Sequence, residues 1–233
     1  MDRARKHIMA IGAHIGDAQL TCGKTLARHA VLGDKITVVD VTAGERGAPP
    51  AMRVEDFKQM NINAADEFAK MLNGQSIVLN YRDGEVPENE EIKFEIGDLI
   101  RREKPDVILT HWSHSMHKDH TATSRVVKDA MFYGGLSTIE RELPSHSARG
   151  PYFADNWEDS HGFEPYIYVD VTEGYDLWHE AVQKLWLTNN SPWFKYLEYY
   201  DALSRARGAV VNKKRAECFA VDPYSMKQVI EGF

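Results

Sequence analysis

The chain has 233 residues, 43% of them hydrophobic and 27% charged, a balance that excludes general disorder and is enough for a sizeable core. Its 28 Lys+Arg against 35 Asp+Glu give a net charge of -7, the wrong sign for a protein whose main partner is a phosphate backbone. The only two cysteines, Cys22 and Cys218, form no CxxC pair and cannot staple a fold of this size, so they read as reduced thiols of a cytoplasmic protein. No apolar run approaches the ~20 residues that cross a bilayer. The basic Met1-Asp2-Arg3-Ala4-Arg5-Lys6 leads straight into a short strand-like run and reads as neither a signal peptide nor an anchor. One feature is uneven: of ten histidines, His111, His114, His117 and His120 fall within ten residues.

In chain order, His7 to Ala13 is a short apolar strand, followed by the polar turn His14-Ile15-Gly16-Asp17 and a helical pattern carrying Leu20, Leu26, Ala27 and Ala30 on one side. Gly33-Asp34 breaks that helix. Lys35 to Val41 is a second strand, and Thr42 to Pro50 a loop rich in Gly and Pro. Arg53 to Leu72 has helical spacing, ended by Asn73-Gly74, and Ser76 to Tyr81 is a third strand. Glu90 to Arg102 is a helix that Pro105 stops, Asp106 to Trp112 a fourth strand, and Thr121 to Tyr133 the next helix. Beyond Gly134-Gly135 come a loop-rich stretch (Leu136 to Glu164), a strand at Tyr166 to Val171, and helices around Tyr175 to Leu187 and Phe194 to Ala209.

Strands alternating with helices imply an α/β, Rossmann-like fold: a mostly parallel sheet with helices on both faces and a C-terminal elaboration. No repeat or composition step marks a linker, so residues 1–233 read as one domain. In such sheets functional groups collect beyond the carboxyl ends of the strands, and the loops after strands one to four hold the chemically interesting residues.

His117-Lys118-Asp119-His120 places two histidines three apart directly after a strand end. A catalytic zinc site takes three protein ligands and leaves a fourth position open. The turn after the first strand offers His14 and Asp17, so the two loops supply three ligands if strands one and four are neighbours at a switch in strand order. A loose HxxH is as often solvated surface; the pairing with the His14/Asp17 turn shifts that balance. His111 and His114 fit better as supporting hydrogen-bond partners or surface residues, and His29, His146, His161 and His179 carry no assigned role.

Gly12-Ala13-His14-Ile15-Gly16-Asp17, together with Thr110-His111 and His117-Lys118-Asp119-His120-Thr121-Ala122-Thr123, resembles the two signature blocks of the zinc-dependent N-deacetylases of the PIG-L/LmbE family. Val41 to Glu45, the Arg53 to Ala64 helix, Tyr81 to Gly84 and Arg215 to Phe219 are similar in order and spacing, so the resemblance spans nearly the whole chain. It implies a Rossmann-like fold, zinc or another divalent metal, and hydrolysis of an N-acyl, most often N-acetyl, group from a small molecule such as an N-acetylglucosamine derivative. Position by position it implies His14, Asp17 and His120 as metal ligands, and, as catalytic residues, Asp119 as the family's second acid and His117 as its auxiliary histidine, which polarises the carbonyl oxygen or protonates the leaving amine. Arg53 and Asp83 fall where substrate is contacted. Family members are often homo-oligomers.

One position departs from the family. Its first block reads Ala-His-Pro-Asp-Asp, and the first Asp is the usual general base; here Gly16 stands there, and Ile15 replaces the Pro. A missing base removes a contribution of typically ~10²–10⁴-fold. Three outcomes are open: Asp119, His117 or Glu45 takes over the proton, the substrate has an easier leaving group, or the protein is a metal-binding pseudoenzyme that binds without turnover. Several residues have ordinary readings as well. Arg53 could simply open a helix, Asp83-Gly84 is a natural turn pair, and Glu45, counted with the substrate contacts, lies in a Gly-flanked loop. The C-terminal aromatic residues fit a core or a subunit interface better than a sugar platform. Gly12, Gly16 and Asp40 invite a dinucleotide reading, but the GxGxxG spacing is absent.

Overall fold

A computed structural model describes residues 3–224. The elements are β1 (His7–His14), α1 (Asp17–Thr21), α2 (Gly23–Val31), β2 (Lys35–Thr42), α3 (Val54–Met71), β3 (Gln75–Tyr81), α4 (Glu90–Glu103) and β4 (Val107–Thr110). They continue with α5 (Lys118–Gly135), β5 (Arg149–Ala154), β6 (Ile167–Asp170), α6 (Tyr175–Val182), α7 (Trp186–Asn190), α8 (Tyr196–Val210) and β7 (Ala216–Val221). Seven strands form one sheet in the order β3-β2-β1-β4-β5-β7-β6. The first five pair in parallel, whereas β7 runs antiparallel to both β5 and β6.

The apolar run of β1 is continuous because both of its faces are covered. Ile8 and Ala10 pack into one layer with Leu26, Phe68 and Trp178, while Met9 and Ile11 pack into the other with Ile96 and Val126. Successive strand side chains point to opposite faces, so every residue of a central strand must be apolar or internally paired. The sheet therefore has α1, α2, α3, α6 and α8 on one side and α4 and α5 on the other. Among the described residues no helix is long and apolar enough to cross a membrane.

The mostly parallel α/β sheet expected from the sequence is present, with a C-terminal part that differs from the expectation. β5 and β7 lie outside the strands that the sequence pattern predicts, and β7 inserts between β5 and β6. β5 carries Gly150 and Pro151, which read as loop, and β7 carries a charge, Glu217, within its short run. That charge has a partner only in three dimensions. The Glu217 carboxylate accepts the backbone N–H groups of Lys24 (3.2 Å) and Thr25 (2.7 Å) at the start of α2, and the Lys24 ammonium lies 3.0 Å away. Lys24 Nζ also sits 3.9 Å from the centre of the Trp178 ring. The last strand is thus tied to the first βα unit, which fits the favourable placement of an anion at a helix N-terminus.

α5 begins at Lys118, three residues before the predicted start, with His117 as its N-cap. The predicted segment Tyr175 to Leu187 divides into α6 and α7. The strand order reverses between β1 and β4, so the chain leaves these neighbours in opposite directions and opens a crevice at their carboxyl ends. His14 closes β1, and the histidine-rich segment follows β4, at that crevice.

Candidate active site

Asp17 is the meeting point of the two loops. Its Oδ2 accepts the His14 backbone N–H (2.8 Å) and faces His14 Nδ1 at 3.1 Å and His120 Nε2 at 3.3 Å. The other nitrogen of His14 faces Asp119 Oδ2 (3.2 Å) and Asp83 Oδ1 (3.3 Å). His120 Nδ1 faces Ser115 Oγ (3.3 Å), Glu158 Oε2 (3.4 Å) and Asp159 Oδ1 (3.5 Å). Each ring is therefore bracketed by oxygen on both sides.

Charge follows from this packing. Burial opposes protonation of His14, but Asp17, Asp119 and Asp83 outweigh it and push the ring up to about 12. His120 is likewise pushed up to about 10, by Asp17 and Asp159 against burial. Burial also opposes ionisation of Asp17, yet the charges of His120 and His14 hold it well below the usual carboxylate range. The protein thus gathers the carboxylates of Asp17, Asp83, Asp119 and Asp159 around two imidazoles, an accumulation of negative charge that also suits a divalent cation. The donor set of imidazole and carboxylate without thiolate fits a hydrolytic zinc site or a similar divalent ion.

Three overlapping groups of donors lie within 4.8 Å of one another: His14, His117 and His120; Asp17, His111 and His120; His14, Asp83 and Asp119. Hydrogen bonding separates them. His111 Nε2 accepts the Ala13 backbone N–H (2.9 Å), and its Nδ1 faces Asp159 Oδ2 (3.6 Å), so both nitrogens are engaged. His111 stacks on His120 at 4.1 Å between centroids, and its Nε2 also lies 3.3 Å from Asp17 Oδ2. His117 Nδ1 accepts the Asp119 N–H (3.2 Å) as the cap of α5. The neutral ring then carries its proton on Nε2, and burial together with the charges of His14 and His120 pulls its pKa down and keeps it neutral. Asp119 is fully buried: Gly84 N–H reaches Oδ2 (2.6 Å) and Val86 N–H reaches Oδ1 (3.4 Å).

The other sequence candidates separate clearly. Asp83 borders the site, its Oδ2 accepting the Arg46 N–H (3.0 Å) while its Oδ1 meets His14. Glu45 is buried; Oε1 accepts the Asp83 N–H (3.0 Å), and Oε2 has no hydrogen-bond partner among the described residues. It clasps the loops after β2 and β3 and does not line the cavity. Arg53 caps α3 from the outside, pairs with Asp56 at 3.2 Å and also lies off the cavity wall. Asp40 is wholly buried, with Oδ2 accepting from Gln19 Nε2 (2.9 Å) while Gln19 Oε1 accepts the Gly16 N–H (2.8 Å). It therefore supports the Gly16 turn and is not exposed to a ribose. His114 is exposed beside Ser113.

Gly16 has φ of 117°, a conformation that side-chain-bearing residues rarely adopt, and a Cβ built there would overlap Leu187 Cδ2 from α7. Two acids outside the sequence candidates, Glu158 and Asp159, face His120. They stand in a single 3₁₀ turn (Trp157–Asp159) just beyond β5. Recognising β5 as a strand would have found them, since its loop opens on the same edge as the others. Burial and the charges of Asp17 and Asp159 push the Glu158 carboxyl up. Above the cluster is a cavity of about 600 Å³ that His14, Asp17, His117, His120, Asp83 and Glu158 floor.

A Rossmann-like sheet with a His/Asp cluster at its switch point defines an α/β protein with an active-site-like crevice. Residues 9–131 match the PIG-L family, GlcNAc-PI de-N-acetylase, and the chain belongs to that family. The 4-oxalmesaconate hydratase of Pseudomonas putida is 22% identical over 224 residues, covering 89% of this chain and 82% of its own. The diacetylchitobiose deacetylase of Thermococcus kodakarensis is 23% identical over 190 residues, covering 76% and 68%. The crystal structure of the conserved protein TT1542 from Thermus thermophilus superposes with a TM-score of 0.80 at 26% identity, over 96% of this chain and 97% of that one.

Proposed function

We propose that the protein is a divalent-metal-dependent hydrolase, zinc being the first choice, that removes an acyl group, most often acetyl, from the nitrogen of a small molecule. The observation that carries this reading is the convergence of His14 and His120 on Asp17 Oδ2 at 3.1 and 3.3 Å, with His117 beside them on the cavity floor. His14, Asp17 and His120 would hold the ion. When bound, it supplies Lewis acidity that polarises an acyl carbonyl and acidifies water.

The chain's own residues divide the remaining work. His117 would present Nε2–H to the cavity and donate a hydrogen bond to the acyl oxygen as negative charge develops, while the proton taken from the attacking water by the lining carboxylate passes on to the departing amine. Asp119 does not reach the cavity; it orients His14 from behind, as carboxylates behind ligating histidines do. Glu158 is the lining carboxylate placed to accept the proton of the attacking water, the role for which residue 16 has no side chain. Asp83 holds the second face of His14 and shapes the floor.

Loading the protein with zinc and supplying a panel of N-acetylated amines and amino sugars tests the reading. Acetate release that is removed by chelation and by His14→Ala supports it; metal binding without acetate from any amide favours a protein that binds without turnover. A second reading is favoured by Leu187 over Gly16 and by the hydratase relative. Addition of water to an activated carbon–carbon double bond has no amine to expel, so it is less sensitive to a missing base. Loss of ultraviolet absorbance from conjugated unsaturated acids, with no acetate from amides, selects it.

A further inference from the structure

The outer half of the cavity differs in kind from its floor. Three of the chain's five tryptophans line it: Trp157, Trp186 and Trp193, joined by Tyr196. Trp186 meets Phe57 edge to face at 5.3 Å and Trp157 stacks on Phe194 at 4.7 Å, so two indoles are held in fixed orientation. Trp193 is 92% exposed at the rim.

Several polar residues of the wall bond within the protein. The Asn61 amide donates to Ala43 O (2.9 Å), and the Thr21 hydroxyl donates to Asp17 O (2.9 Å). The Tyr200 hydroxyl donates to Asn156 Oδ1 (2.8 Å), and the Asn156 amide turns to Asp159. Among the described residues no Lys or Arg lines the cavity, while Asp17, Asp83 and Glu158 do. In this outer half a polyhydroxylated ring would lie mainly against indole faces and apolar side chains, where a hydroxyl buried without a partner is unfavourable. A polyanionic group in this outer half would meet no Lys or Arg among the described residues. A flat apolar group gains stacking on fixed indoles, and an amine released beside it becomes a cation, which carboxylates and indole faces both attract.

We propose that the aromatic half of the cavity is a stacking subsite for an uncharged aryl group, so that the substrate is the N-acyl derivative of an arylalkylamine rather than of a sugar. The proposal rests on the deacetylase reading for the chemistry of the amine. The subsite itself consists of Trp157, Trp186, Trp193 and Tyr196 and exists whether or not the floor turns over.

Product amines test binding apart from catalysis. Phenethylamine, glucosamine and glutamate are titrated by calorimetry into the zinc-loaded protein. Phenethylamine is expected to bind at least about tenfold more tightly than glucosamine, with glutamate the weakest. Trp186→Leu is expected to weaken phenethylamine about three- to tenfold, the size of one aromatic pair, and to leave glucosamine unchanged. Trp193→Ala, at an exposed position, repeats the test without risk to the fold and is expected to shift affinity in the same direction. Equal or tighter binding of glucosamine, or phenethylamine affinity untouched by both variants, overturns the subsite. So does a chain that dimerises through Trp193 and binds neither amine. Acetate released faster from N-acetylglucosamine than from N-acetylphenethylamine overturns the subsite while the deacetylase reading stands. Tight, Trp186-dependent phenethylamine binding with no acetate from any amide does the reverse.

Discussion

Leu187 of α7 occupies the space into which a side chain on Gly16 would project. The two residues lie 171 positions apart and form one steric unit, in which the missing side chain of one is complemented by the branched side chain of the other. Restoring an acid at residue 16 is therefore not a one-step change.

Gly16→Asp is expected to destabilise the fold by about 1–3 kcal/mol, because φ of 117° is strained for any side-chain-bearing residue, and because Leu187 must move. Activity should fall rather than rise. Gly16→Asp combined with Leu187→Ala should recover part of the loss, since the clash is removed and only backbone strain remains. Thermal unfolding and acetate release of the two variants check this; a stable and more active single variant would show that the Leu187 contact is unimportant.

His117 and His120 are expected to fail in different ways. His120→Ala removes a donor at Asp17 Oδ2 and should abolish metal retention. His117→Ala removes an oxyanion donor and should cost about 10²–10³-fold in kcat while the metal content stays near that of the wild type. Elemental analysis beside steady-state kinetics separates the two, and loss of metal from His117→Ala would contradict the tautomer set by its N-cap bond to Asp119.

The chelated protein should respond to pH in a specific direction. His120 has an ordinary value of 6.5 and is pushed up to about 10 in the fold, and His14 is raised still further. Stability from these rings is fully present below pH 6.5 and is lost as pH rises through about 10. Unfolding temperature in the presence of a chelator is therefore expected to decline from pH 6.5 to 10, and zinc should flatten the decline. Asp17, Asp83 and Asp119 are held low, so a second loss is expected on acidification below about pH 4. A chelated protein equally stable at pH 6.5 and 9.5 would contradict the bracketing of these rings by carboxylates.

Asp40 has the opposite sign. Full burial, with the Asp17 charge adding to it, raises its carboxyl well above the usual range, against the Gln19 hydrogen bond. Its ionisation therefore opposes folding. Asp40→Asn, which keeps an oxygen for Gln19, is expected to match or exceed the wild type in unfolding temperature at pH 8. Asp40→Ala, which frees Gln19 and loosens the Gly16 turn, should lower it by about 1–3 kcal/mol in stability. Melting curves of the two variants decide the matter; a severely destabilised Asn variant would mean that the carboxyl is ionised.

Local pattern alone determined much of this protein. The apolar run at His7 to Ala13, the alternation of strands and helices to Tyr133, and the two polar turns at strand ends are short-range features, and they carry the fold class and the candidate ligands His14, Asp17 and His120. The parallel first half was legible because a buried parallel strand needs an unbroken apolar stretch. The tertiary structure alone decided what depends on distant partners. β7 reads poorly because its Glu217 is satisfied only by the start of α2, and with β5 unread the acids Glu158 and Asp159 stayed out of sight. His111 and His117 could be told apart only by which backbone N–H each accepts. That Gly16 is more than a missing acid was equally invisible: its turn is held by Gln19 and Asp40, and the side chain filling its space comes from α7, whose position is fixed by packing of the completed fold.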